Sequence, residues 1–164
     1  MRFNQRFPKG IPRAVAWSLI VTLALADQLT KILTLRFIPY QESIPVIPGF
    51  FNLTHLHNTG AAFSMLRDNN LFFILLSGAV FIALIVLRRQ FQGLPMQWGW
   101  ILLLSGIIGN VTDRIRLGHV VDFLDFQFGG YHWPAFNVAD SCICIAAGLF
   151  LLRGLARPDM PAAS

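Results

Sequence analysis

Four apolar runs divide the chain: Ala14 to about Phe37, Leu71 to Leu87, Trp98 to about Val111, and Val138 to Leu152. Crossing a bilayer takes about 20 apolar residues in a helix. The runs therefore predict transmembrane helices at about 14–37, 69–88, 96–113 and 137–154. The third and fourth are short and must borrow from flanking residues. Arg88 and Arg89 close the second, and Arg153 closes the fourth. Asp27, Gln28 and Lys31 interrupt the first. Its basic start (Arg2, Arg6, Lys9, Arg13) and Ala24-Leu25-Ala26 also read as a secretory leader with a cleavage site. The apolar pattern resumes beyond that point at Leu29, Ile32, Leu33 and Leu35. Asp27 and Lys31 stand four apart, acid before base, the favourable order on one helix face. An uncleaved spanning helix accounts for both features.

The outer connections, about 38–68 and 114–136, carry a different pattern. Phe50 to Asn58 is rich in aromatic and β-favouring residues and reads as a strand, with Pro45, Pro48 and Gly49 before it as turn punctuation. Val120 to Phe128, Gly129-Gly130 and Tyr131-His132-Trp133 read as a hairpin with a two-residue turn. The expected fold is an all-α membrane protein, one domain over 1–164, with four transmembrane helices and a small periplasmic β-sheet. Tyr131, Trp133 and the phenylalanines are expected at headgroup level.

Composition strengthens the lipid reading. The chain is 55% hydrophobic and only 13% charged, with mean hydropathy +0.58, whereas about a quarter of an ordinary soluble domain is charged. The net charge of +5 does not indicate nucleic acid, because the basic residues sit at helix ends and form no stripe interleaved with stacking aromatics. Arg2, Arg6, Lys9, Arg13, Arg88, Arg89, Arg153 and Arg157 fall on one side; Lys31, Arg36, Arg67, Arg114 and Arg116 fall on the other. Eight against five puts both termini in the cytoplasm. Among the acids only Asp159 falls on that side. Cys142 and Cys144, two apart on the last helix, point to different sides and do not form a bridge.

Ionisable residues in or beside spanning segments are costly and call for a partner or a purpose. Asp27, Lys31, Asp113, Arg114, Asp122 and Asp140 are all expected at the outer membrane level, and Asn58, Asn110 and Asn137 join the same layer. Two carboxylates sharing one proton can hydrolyse a peptide there without a nucleophilic Ser or Cys.

Five ordered blocks now carry a resemblance: Asp27-Gln28-Leu29-Thr30-Lys31, Asn58-Thr59-Gly60-Ala61-Ala62-Phe63, Gly106-Ile107-Ile108-Gly109-Asn110-Val111-Thr112-Asp113-Arg114, Val121-Asp122-Phe123 and Phe136-Asn137-Val138-Ala139-Asp140-Ser141. In type and order they resemble the signature blocks of the lipoprotein signal peptidases (signal peptidase II), spanning residues 27–141. One departure is Ser105, where the family's third block usually opens with a glycine; Ser105 to Gly109 keeps a small-xxx-small spacing. The resemblance implies Asp122 and Asp140 as the catalytic pair. It implies Asn58, Gly60, Asn110, Asp113, Arg114, Asn137 and Ala139 as lining or supporting residues, with Asp27 and Lys31 as a pair on the first helix. It also implies a membrane-embedded aspartic endopeptidase of the bacterial inner membrane. The implied substrates are diacylglyceryl-modified prolipoproteins, cut before the lipidated cysteine.

Plainer readings stand beside it. Asp27 and Lys31 serve equally as a structural ion pair, Arg114 as an interfacial anchor with Asp113 as its partner, and Gly106 and Gly109 as packing residues. His55, His57, His119 and His132 all lie in outer connections at no recognised ligand spacing, so no metal or cofactor is expected. In a strand, Asp125 points away from the face of Asp122, which favours a solvated role. A small cation or multidrug transporter is the alternative function, but its acids belong near the midplane, framed by repeats, and no repeat is apparent. The expected partners are lipidated prolipoproteins and membrane phospholipids, with no nucleic acid, acting on a monomer.

Overall fold

A computed structural model gives the structure over residues 10–60 and 69–155. Arg2, Arg6, Lys9, Arg67, Arg157, Asp159 and Ala61 to Phe63, which enter the topology count and the second block, lie outside the described residues.

Helix α1 (Arg13–Phe37) runs unbroken through Ala24 and Ala26. Strands β1 (Ser43–Ile47) and β2 (Phe51–Asn58) follow, then α2 (Asn70–Val86), a single 3₁₀ turn at Arg88–Gln90, and α3 (Leu94–Leu117). Strands β3 (Val120–Phe128) and β4 (Tyr131–His132) precede α4 (Val138–Leu155). α1, α3 and α4 are each long and apolar enough to cross a membrane, and α2 is a shorter apolar helix of 17 residues. The third apolar run is thus a long helix: it starts after Gly93, takes Pro95 into its first turn and continues past Asp113. Gly118, at φ 78°, ends it in the left-handed conformation, its N–H bonded to the Arg114 carbonyl at 3.2 Å.

α3 packs against each of the other three helices. One end of the bundle is apolar, with Ala16, Ile20, Leu84, Trp100, Ile101, Leu104 and Ile107 buried together. Trp100 spends its indole N–H on the Leu84 carbonyl at 2.8 Å, so this core carries no orphaned donor from it. Close approach of α3 to α4 depends on missing side chains. A Cβ on Gly106 would lie 2.5 Å from the Ala139 carbonyl oxygen, and one on Gly99 would strike the Phe150 ring. Outward-facing apolar residues such as Leu25, Leu75, Ile82, Val86 and Leu152 are mostly exposed, a surface that suits lipid rather than water.

The four strands form one antiparallel sheet in the order β1-β2-β3-β4. The expected hairpin is present: Phe128 pairs with Tyr131 across Gly129 and Gly130, whose φ values of 56° and 90° are the left-handed pair that a two-residue I′ turn demands. β1 is a correction to the sequence reading. Pro45 lies inside it, opposite Asn52, because an edge strand leaves one row of N–H positions unpaired and tolerates proline. An extra residue between Leu53 and Leu56 bulges β2 against β3, placing Leu56 opposite Asp122 and Asn58 opposite Val120. Phe136 bridges to Leu124, which carries the chain alongside β3 and delivers Asn137 to the start of α4.

Candidate active site

The first turn of α4 organises the polar layer. The first N–H groups of a helix have no partner within it, and here side chains supply them. Asn137 precedes the helix and accepts the Asp140 N–H on Oδ1 at 2.9 Å, while Asp140 Oδ2 accepts the Asn137 N–H at 3.3 Å. This is a reciprocal capping box built from Asn and Asp. The intervening Ala139 N–H donates to Asp27 Oδ1 at 2.8 Å, which ties α1 to the same turn.

Asn137 also reaches the other acid. Its Nδ2 donates to Asp122 Oδ1 at 2.8 Å, so one fully buried residue meets both carboxylates, Asp122 through its side chain and Asp140 through its backbone N–H. Asn58 donates to Asp122 Oδ2 at 3.0 Å, reaching diagonally across the same face of the sheet, and Asn110 donates to Asp140 Oδ1 at 2.7 Å. Burial, and then the neighbouring Asp140 charge, push the Asp122 carboxyl up to about 7, against the pull of the hydrogen bonds from Asn58 and Asn137. A carboxyl group poised there exchanges protons near neutrality.

Lys31 lies beneath the pair, 2% exposed. Its ammonium sits 2.9 Å from Asp27 and 2.9 Å from Asp113, and donates to Asn110 Oδ1 at 3.1 Å. Asp113 therefore finds its cation on α1, correcting the expectation that Arg114 is its partner: consecutive helical residues point about 100° apart. Asp113 also accepts Gln28 Nε2 at 2.9 Å and the Val121 N–H at 3.2 Å, joining α3 to β3. Arg114 is no exposed anchor either. It is buried, donates to the Gly60 carbonyl at 2.7 Å, lies 4.4 Å from the Phe73 ring centroid and exchanges hydrogen bonds with Asn70. It thereby fixes Gly60, whose N–H in turn donates to Asn58 Oδ1 at 3.0 Å. Gly109 is needed for contact here, since a Cβ on it would lie 2.6 Å from Asp27 Oδ2.

The expected dyad and its supporting residues, Asp27, Lys31, Asn58, Gly60, Asn110, Asp113, Arg114, Asn137 and Ala139, thus fall in one connected network. Gln28, Asn70 and Phe73 were missed as participants. Gln28 was visible inside the first block, and its position next to Asp27 was the available signal; Asn70 and Phe73 carry none. Asp125 departs from its expected solvated role. It does face away from Asp122, but the β2–β3 register sets Asn52 opposite it, and Asn52 and His132 donate to it at 2.9 and 3.1 Å, leaving it buried. The remaining histidines form a stack beside the sheet: His55 Nδ1 contacts the Ile38 carbonyl, His55 and His57 meet through Nε2 at 3.0 Å, and His57 lies on His119. Burial and then the flanking His119 and His55 depress His57 to about 4, so it is neutral near pH 7. Cys142 is buried and Cys144 exposed, both free, as their spacing requires.

Comparison with known proteins gives a consistent result. A family model described as signal peptidase (SPase) II matches residues 19–156. A lipoprotein signal peptidase of Janthinobacterium sp. (strain Marseille) is 41% identical over 163 residues, covering 96% of this chain and 98% of that protein. One from Ralstonia nicotianae (strain ATCC BAA-1114 / GMI1000) is 50% identical over 138 residues, covering 81% and 79%. A bacterial membrane enzyme solved by the in meso method at 2.3 Å superposes with a TM-score of 0.82 at 32% identity, covering 93% of this chain and 96% of that one.

Proposed function

Because the chain belongs to the signal peptidase II family and is thus a lipoprotein signal peptidase of the aspartic type, we propose that Asp122 and Asp140 are its catalytic pair. The observation that carries this reading is their convergence on Asn137, whose side-chain Nδ2 donates to Asp122 and whose backbone N–H donates to Asp140. The transporter alternative has no support in family or fold.

In the proposed reaction one carboxylate takes a proton from a water molecule as the water oxygen attacks the scissile carbonyl carbon. The protonated partner gives its proton to the carbonyl oxygen, so the tetrahedral diol forms without a full charge on oxygen. The C–N bond then breaks as the first acid returns its proton to the leaving amine and the second recovers one from a diol hydroxyl. Acid, amine and the original dyad result, with one water consumed. Asn58, Asn110 and Asn137 hold the carboxylates in register, and Arg114 holds Gly60 at the rim.

The substrate is a prolipoprotein carrying a diacylglyceryl group on cysteine, cut just before that residue. Its acyl chains remain in lipid, each buried CH₂ contributing about 0.8 kcal/mol to anchoring. The enzyme acts as a monomer in the inner membrane, with all four helices spanning. α2, about 25 Å long at 1.5 Å per residue, is near the lower limit for a span. Both termini face the cytoplasm, and the sheet lies at the periplasmic surface, where the exposed Tyr40, Phe128, Tyr131 and Trp133 suit the headgroup region. Purified protein should cut a diacylglyceryl-modified prolipoprotein and spare its unlipidated form. Equal cutting of the two, or of neither, would remove the substrate assignment.

A further inference from the structure

Among the described residues, Asn110 is the one amide bonded to the dyad that is oriented by a full charge. Lysine has only donors, so the atom of Asn110 facing Lys31 Nζ at 3.1 Å must be Oδ1. That commits Nδ2 toward Asp140, 2.7 Å away. A carboxamide turned the other way would present a carbonyl to Asp140, an arrangement that only a protonated carboxyl satisfies. The amides around Asp122 are oriented by neutral groups instead: the Gly60 N–H fixes Asn58 and the Asp140 N–H fixes Asn137. Asp140 also lies in the first turn of α4, where the helix dipole favours negative charge.

We propose that Lys31 is a positioning residue acting through Asn110, and that it makes Asp140 the ionised, water-activating member of the pair and Asp122 the member that holds the proton. This rests on the dyad reading above. The charged groups around Asp140 are Lys31 and Asp27 from α1, Arg114 from α3 and Asp122 from β3, with Asp113 behind Lys31. Arg114 acts on both acids, on Asp122 ahead of Asp140, and so is not what singles out Asp140. Lys31 also acts on both acids through space, offset by Asp27 and Asp113, so what it gives to Asp140 alone is the amide it fixes. The raised Asp122 carboxyl, near 7, agrees with its holding the proton.

The test is the pH profile of kcat/KM for two near-isosteric variants, Asn110→Leu and Asn58→Leu, with thermal unfolding measured alongside. Removing a donor from the ionised base raises its pKa, so Asn110→Leu should shift the acid limb upward by about 1 pH unit. Asn58→Leu removes a donor from Asp122 and should shift the basic limb upward instead. The opposite pattern would reverse the assignment, and unshifted limbs with merely lower activity would reduce Asn110 to a structural residue. The triple variant Asp27→Asn/Lys31→Met/Asp113→Asn removes the charged cluster without leaving a buried ion unpaired. It should show the same acid-limb shift as Asn110→Leu, and a folded triple variant with a wild-type acid limb would overturn the role of Lys31. Inactive Asp122→Asn and Asp140→Asn with unshifted Asn110→Leu limbs would overturn this inference alone; turnover by either Asp variant would overturn the dyad reading itself.

Discussion

Asp125 carries a carboxylate three positions beyond Asp122, and the geometry separates the two by what donates to them. Asp122 receives Asn58 and Asn137, the second of which also bonds Asp140, while Asp125 receives Asn52 and His132 on the other face of the sheet. Burial alone would raise the Asp125 carboxyl, but the hydrogen bonds from Asn52 and His132 outweigh it and hold the group below its usual range. A depressed folded-state pKa contributes stability above the unfolded value of about 4, and this is lost as pH falls through that region toward the folded value. Asp125→Asn should therefore retain most of the cleavage activity while costing about 1–3 kcal/mol of stability near neutral pH, a deficit that shrinks on acidification. Thermal unfolding at pH 7 and pH 3.5 with a parallel cleavage assay checks both parts. Single residues were legible in the sequence as to membership of the site but not as to partners. Asp113 stands beside Arg114 in the chain, yet it is 82 positions from Lys31, and only the packing of α1 on α3 makes that ion pair.

At the scale of elements, the α3–α4 contact is the joint that sets the site. Gly106 and Gly109 let α3 approach the first turn of α4 closely enough for Asn110 to reach Asp140 and for Asp27 to reach the Ala139 N–H. Gly109→Ala would drive a methyl against Asp27 Oδ2 and Ala139, and Gly106→Ala one against the Ala139 carbonyl. Each should destabilise by about 1–3 kcal/mol and reduce turnover. Gly148→Ala, with nothing within 4 Å of its Cβ, should be silent in the same unfolding and cleavage measurements. The helices were legible from four apolar runs, and the β3–β4 hairpin from Gly129-Gly130, because a two-residue turn with both φ angles positive has a strong local requirement. β1 was not, since Pro45 and Pro48 are local turn signals, and pairing with β2 at a sheet edge is a tertiary fact. The polar cluster extended α3 beyond the reach of an apolarity argument: Arg114 and Arg116 are helical, though both lie past the expected end at residue 113.

For the whole molecule, an apolar end, a polar end and a sheet beyond it make a bundle with two different poles. The Lys and Arg count predicts which pole faces the cytoplasm. Reporter fusions after Arg89 should read as cytoplasmic, and fusions near Glu42 and Gly129 as periplasmic. A cytoplasmic signal at Gly129 would invert the proposed placement of the site.

The proposed reaction turns on Asp122 and Asp140, and Asn at either position keeps the size of the side chain while removing its ability to exchange a proton. The most direct measurement is cleavage of a diacylglyceryl-modified prolipoprotein by purified Asp122→Asn and Asp140→Asn proteins, each shown by thermal unfolding and substrate binding to be folded. Turnover should be abolished in both while binding persists. Substantial turnover by either well-folded variant would contradict the assignment.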